Sequence, residues 1–145
     1  MVQSIIEGLR NYLAECPLLA EIPVRDRHVN WTAADKHNYG IFQDGNVPIG
    51  EPYINGNQEM LYTAQINVRK LTDSDVRRLE ASAWVERLQR WLQVQTKADN
   101  LPEMPEGCVP TEIEATNAGL LDADAAGNKG VYMVQIALTY TIYGG

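Results

Sequence analysis

From Met60 to Arg69 the chain alternates with a period of two. Met60, Tyr62, Ala64, Ile66 and Val68 interleave with Leu61, Thr63, Gln65, Asn67 and Arg69. That period predicts a strand with one face buried. The same alternation returns in Val109, Thr111, Ile113 and Ala115, and most regularly in Tyr132, Val134, Ile136, Leu138, Tyr140 and Ile142. Between these two runs, Asp122 to Gly130 reads DADAAGNKG, a cluster of turn formers, so the last two strands are expected to form an antiparallel hairpin.

Two segments carry the helical period instead. Ser4 and Glu7 make a capping-box pattern ahead of Ile5, Ile6, Leu9, Tyr12 and Leu13, and Pro17 is expected to stop that helix. A second helix is predicted from a cap at Thr72 and Asp73 to about Lys97. Leu79, Ala83, Trp84, Leu88, Trp91 and Leu92 form one broad apolar stripe on it. Large side chains at that spacing are far more often half of a core than a binding box, so Trp84, Leu88 and Trp91 are expected against the strands that hold Ile66 and Ile136.

The remaining segments have no sustained period. Residues 17–37 contain Pro17 and Pro23, with one short strand expected within Ile22–Val29. Tyr39 to Asn57, YGIFQDGNVPIGEPYINGN, predicts a strand followed by a long, exposed, hairpin-like loop. Asn100 to Gly107 is a proline-rich connection that cannot continue a helix. The order of helix, strands, helix, strands predicts an α+β fold, with a mainly antiparallel sheet packed against two helices and a projecting hairpin-like loop. Its 145 residues fit one domain, 1–145, large enough to bury a two-layer core.

Composition narrows the function. With 45% hydrophobic and 21% charged residues the chain is an ordinary water-soluble domain. It has no apolar run long enough to cross a bilayer and no basic, uninterrupted apolar start of a secretion signal, so it is expected to stay in the cytoplasm where it is made. A net charge of -7 gives no support for tight nucleic-acid binding. That charge is unevenly spread. Between Arg69 and Lys97 seven basic residues stand against four acidic ones, whereas from Ala98 onward only Lys129 opposes seven acids.

Each candidate for chemistry loses to a plainer reading. Cys16 and Cys108 are isolated, without the spacing of a zinc site or a disulfide framework, and read as reduced thiols near the core. His28 and His37 lack metalloprotease spacing and are expected on the surface of an irregular segment. Asp122 and Asp124 open like a calcium loop, but Ala126 and Met133 occupy the fifth and twelfth positions. Gly40, Gly45, Gly50 and Gly56 form neither dinucleotide nor P-loop patterns. No catalytic residue, cofactor or metal is therefore expected.

What remains is a set of local phrases in a fixed order. Tyr39-Gly40-Ile41 leads through a proline-glycine loop to Tyr53-Ile54-Asn55-Gly56-Asn57, then to a strand and a helix with two tryptophans. Leu101-Pro102-Glu103-Met104-Pro105-Glu106-Gly107 follows, then Thr116-Asn117-Ala118-Gly119-Leu120-Leu121-Asp122-Ala123-Asp124, then Tyr132 to Tyr140. This arrangement resembles the tail terminator proteins of long-tailed bacteriophages, small prophage proteins often labelled minor capsid proteins. The resemblance covers nearly the whole chain and is best between Tyr39 and Tyr143.

The resemblance implies a non-enzymatic virion protein. Such a subunit joins a hexameric ring of its own copies on the head-proximal end of a tail tube, stops tail growth and offers a surface to a head-completion or neck protein. DNA would pass through the ring without tight binding, and no membrane is involved. A head-to-tail adaptor or other neck-ring protein would share the size, acidity and fold class, and a binding partner would separate the two. A small cytoplasmic enzyme is the third class, marked by a polar cluster in a deep pocket.

Within this reading the loop from Tyr39 to Asn57 is the expected assembly surface. Tyr39, Ile41, Phe42, Val47, Ile49, Tyr53 and Ile54 are apolar, Ile41 and Phe42 among the residues expected to be exposed, and no period buries them all at home.

Overall fold

The computed structural model describes residues 2–22, 27–29, 38–123 and 129–144. Helix α1 spans Ile5–Leu13, and Ser4 caps it, while Glu7 reaches back one residue past the cap. The Ser4 hydroxyl accepts from the Glu7 N–H at 3.2 Å, and the Glu7 carboxylate accepts from the Gln3 N–H at 3.3 Å. The helix ends at Leu13, ahead of Pro17 as expected, and Pro17 itself begins a second helix, α2 (Pro17–Ala20). Proline fits the first helical position because the N–H it lacks has no partner there.

Strand β1 (Arg27–Val29) lies within the segment expected to hold one short strand, and Ile22 precedes it as a buried core residue. The other strands are β2 (Tyr39–Pro48), β3 (Gln58–Leu71), β4 (Cys108–Ala123) and β5 (Lys129–Ile142). They form one sheet in the order β1-β2-β3-β5-β4, parallel only between β1 and β2. The fold is α+β. Its backbone is the β3–β5 pairing, unbroken from Gln58 opposite Ile142 to Leu71 opposite Lys129. The expected turn at Asp122–Gly130 is shorter than its composition suggests, since Asp122 and Ala123 belong to β4 and Lys129 and Gly130 to β5, while residues 124–128 lie outside the described residues.

Alternation selects the core. Tyr62, Ala64, Ile66 and Val68 of β3 and Tyr132, Val134, Ile136, Leu138 and Tyr140 of β5 are buried in one cluster with the helices, whereas Ile142 is exposed at the strand end. Strand β4 keeps this pattern only at Ile113, because its register with β5 shifts at Pro110/Glu112, Ala115/Asn117 and Leu120/Asp122. Each shift turns the following side chains to the other face. Val109 and Thr111 are consequently exposed, contrary to the alternation read from sequence.

Helix α3 (Asp75–Lys97) is capped one or two residues later than expected, by the Ser74 hydroxyl, which accepts from the Arg77 N–H at 3.2 Å. Asp73 pairs instead with Arg77 at 3.0 Å, and the Thr72 carbonyl accepts from the Arg78 guanidinium at 2.5 Å. The buried face of α3 is Ala81, Trp84, Val85, Leu88 and Leu92. Leu79 and Ala83 are exposed, which corrects the single broad stripe. At about 100° per residue, Leu79 lies roughly 140° around the helix from Trp84, too far for one sheet to cover both. Trp84 and Leu88 share the core cluster with Ile66 and Ile136 as expected, whereas Trp91 is half-buried at its margin, its ring 5.3 Å from that of Tyr12.

The connection after α3 is held at both ends. The Tyr12 hydroxyl donates to the Asn100 carbonyl at 2.9 Å, and Met104 enters the core. The Thr96 hydroxyl meets the backbone N–H and C=O of Ile113, so α3 satisfies part of the outer edge of β4.

Candidate assembly surface

Strands β2 and β3 form a hairpin whose two halves differ. Near its base, Tyr39 and Ile41 face the helices opposite Val68 and Ile66, and are only 1% and 0% exposed. They belong to the chain's own core, which corrects the exposure expected of Ile41 and removes both from any surface. Phe42, opposite Gln65, is half-buried on the other face of the sheet. The register then shifts between Gln43 and Gly45, so that Val47, opposite Leu61, continues on that other face.

The tip is where the expected surface lies. Val47, Ile49, Tyr53 and Ile54 are all exposed, and Ile54 is fully so. Backbone bonds order this tip. The Ile49 N–H donates to the Glu59 carbonyl at 2.8 Å, the Tyr53 N–H to the Asn57 carbonyl at 2.8 Å, and the Gly56 N–H to the Tyr53 carbonyl at 2.9 Å. The Gln58 side-chain amide adds a bond to the Ile49 carbonyl at 3.2 Å. Gly56, at φ 87°, makes the left-handed turn that closes the loop.

The end of the chain braces the tip. The Gly144 N–H donates to the Asn57 side-chain oxygen at 3.2 Å, and the Tyr143 N–H donates to the Gly107 carbonyl at 2.8 Å. A Cβ at Gly144 would run into the Gly56 carbonyl, so the two segments touch backbone to backbone. This contact places exposed Ile142 and Tyr143 beside the loop, with Val109 on the neighbouring strand. Sequence reasoning missed these three. The signal available was that Ile142 and Tyr143 are consecutive apolar residues that one buried face cannot both occupy.

The hairpin is also acidic. From Tyr39 to Glu59 it carries Asp44, Glu51 and Glu59 and neither lysine nor arginine. Tyr140 joins it to the core through a hydroxyl that donates to the Asn46 side-chain oxygen at 2.7 Å, while burial raises the pKa of Tyr140 above the ordinary range.

Other candidate chemistry is dispersed. His28 lies on β1, a strand and not the irregular segment expected of it, and His37 lies outside the described residues. Cys16 is buried, Cys108 half-buried, and both are free thiols whose pKa burial raises. Among the described residues no group of three or more His, Cys, Asp or Glu side chains is placed to hold a metal, and no helix is long and apolar enough to cross a membrane. No protein-family model matches the chain, and no curated protein matches it.

Proposed function

We propose that this chain is a structural virion protein that assembles with its own copies into a ring on the head-proximal end of a phage tail tube, ends tail growth there and offers a joining surface to the head. The resemblance of its ordered phrases to tail terminators supplies the setting. The observation that carries the reading is the hairpin tip. Four large apolar side chains are held out on an ordered turn, where an uncovered cluster is costly unless a partner covers it.

The opposite face of the sheet has a different character. All three helices share one core with one face, and no helix covers the other among the described residues. That face is mixed: Thr63, Gln65, Asn67, Gln135, Thr139 and Glu114 share it with Phe42, Val47, Leu61 and Met133 and with buried Val131 and Ala137. In this reading the protein is assembled in the bacterial cytoplasm, resides in the virion and performs no catalysis.

Electron microscopy of the protein incubated with its cognate tail tubes tests the proposal. The expected result is a ring at one end of each tube, and its loss when residues 50–56 are replaced by Asn-Gly, a two-residue turn that hairpins accept. This cut spares Gly45–Pro48, which pair with β3. Binding to heads but not tubes would instead identify a neck-ring adaptor.

A further inference from the structure

A second unpartnered apolar surface lies on α3. Val76 and Leu79 are 65% and 71% exposed, and Val94 and Ala83 are exposed on the same side, away from the buried face that runs through Trp84 and Leu88. At helical spacing these four form one stripe facing outward. A helix that already fills the core with one face has no internal use for a second apolar face.

The charges along this stripe have a definite sign. Arg77 and Arg78 are occupied by Asp73 and Asp75. Arg87 and Arg90 lie between Ala83 and Val94 on the outward side, exposed and without an ion pair among the described residues, and Lys97 closes the stripe. Glu80 and Glu86 only partly offset them. The hairpin is the converse surface, with exposed apolar side chains at its tip, Glu51 in its loop, exposed Asp44 at the bulge of β2, and neither lysine nor arginine from Tyr39 to Glu59.

We propose that the outward face of α3 receives the hairpin tip of a second copy of this chain, with the apolar residues of each surface covering the other and Asp44 and Glu51 facing Arg87 and Arg90. The inference rests on the assembly reading of the hairpin and adds to it the receiving surface. Within one chain the two surfaces do not cover each other, since both are exposed. Because the tip and the helix face are different patches, the contact is head-to-tail and repeats at every step, which builds a ring when the rotation closes. Opposite charges bring the patches together and set their register.

Sedimentation velocity of the full chain and of charge-reversed variants tests this. R87E with R90E is expected to weaken self-association by on the order of a hundredfold, as is D44K with E51K, since each sets like charges against one another. All four positions are exposed, so unchanged circular dichroism and melting temperature are expected. Mixing the two variants restores assembly, because each then meets a partner of opposite charge. If reversal on α3 leaves assembly intact while the shortened hairpin abolishes it, the receiving surface is wrong and the hairpin reading stands. Loss in both variants without recovery on mixing rejects the pairing. Assembly that survives shortening of the hairpin, or a wild-type chain that stays monomeric at the highest concentration it tolerates, overturns both.

Discussion

Gly8 sits inside α1, a position where alanine would ordinarily favour the helix by about 1 kcal/mol. Here a Cβ would run into the backbone carbonyl of Glu103, because the connection after α3 passes directly over the helix. Backbone cannot step aside as a side-chain end can. Gly8→Ala is therefore expected to destabilise the chain by ~1–3 kcal/mol, read as a lower melting temperature; a higher one would remove the close approach from the account. Lys70 is the other residue whose setting is unusual. Its ammonium lies 4.1 Å from the centroid of the Trp84 ring, and its pKa is lowered from 10.5 to about 8, first by burial, with Arg87 adding to the drop and Glu21 opposing it. Between those two values the unfolded chain holds the proton that the folded chain has released, so stability rises with pH in this window. Tyr62 acts with the opposite sign. Burial raises its pKa from 10.0 to about 12, so its contribution is lost as pH climbs through that range, and the thiols of buried Cys16 and half-buried Cys108 pull the same way. The rise due to Lys70 is isolated by comparing denaturant midpoints of wild type and Lys70→Met from pH 7 to 10: wild type should gain stability relative to the variant as pH increases. A constant difference would show that the amine keeps its ordinary affinity for protons.

At the scale of elements, the two tryptophans of α3 separate the core from its margin. Trp84 is buried in the cluster that includes Ile66 and Ile136, so Trp84→Ala is expected to cost ~3–5 kcal/mol. Trp91 is half-buried against Tyr12 and should cost about half as much on the same chemical-denaturation measurement. Equal losses would place Trp91 in the core after all. The same contrast explains what could be read from the sequence. Strands β3 and β5 were legible because neither slips register against the other, so each alternation survives intact. Strand β4 was legible as a strand only in its first half, and its buried face not even there, since three shifts break the period and the turn-like composition after Thr116 conceals a continuing strand. Parallel pairing of three residues of β1 with the base of β2 is a tertiary event with no local pattern of its own. In the hairpin, glycine, proline and asparagine are spread evenly across strand and loop, so composition could not divide Tyr39 and Ile41, which enter the core, from Tyr53 and Ile54, which do not. The exposed face of α3 was hidden for a related reason: two apolar stripes on one helix add up to a single wide one unless the angle between them is followed.

The whole molecule adds what no single element determines, a distribution of charge over two unlike faces. The helical side bears the basic excess of α3, while the other sheet face mixes polar and apolar residues, with Arg69 and Lys129 at one end and Glu112 and Glu114 along β4. Double-stranded DNA could be held only where several cations meet phosphates together, since each contact releases about one counterion and non-specific affinities of ~10⁻⁴ to 10⁻⁶ M rest on many such contacts. The best local candidate is α3. Two of its arginines are committed to Asp73 and Asp75, which leaves Arg87, Arg90 and Lys97, with Glu80 and Glu86 beside them. Three cations on one helix, attached to a body of net charge -7, cannot approach that affinity. In fluorescence anisotropy with a labelled duplex at physiological salt, no saturable binding is expected up to ~100 μM protein. Sub-micromolar binding would contradict the expectation. The result also bears on α3 itself, since absent DNA binding would leave Arg87 and Arg90 free for the contact proposed above with the hairpin of a second copy.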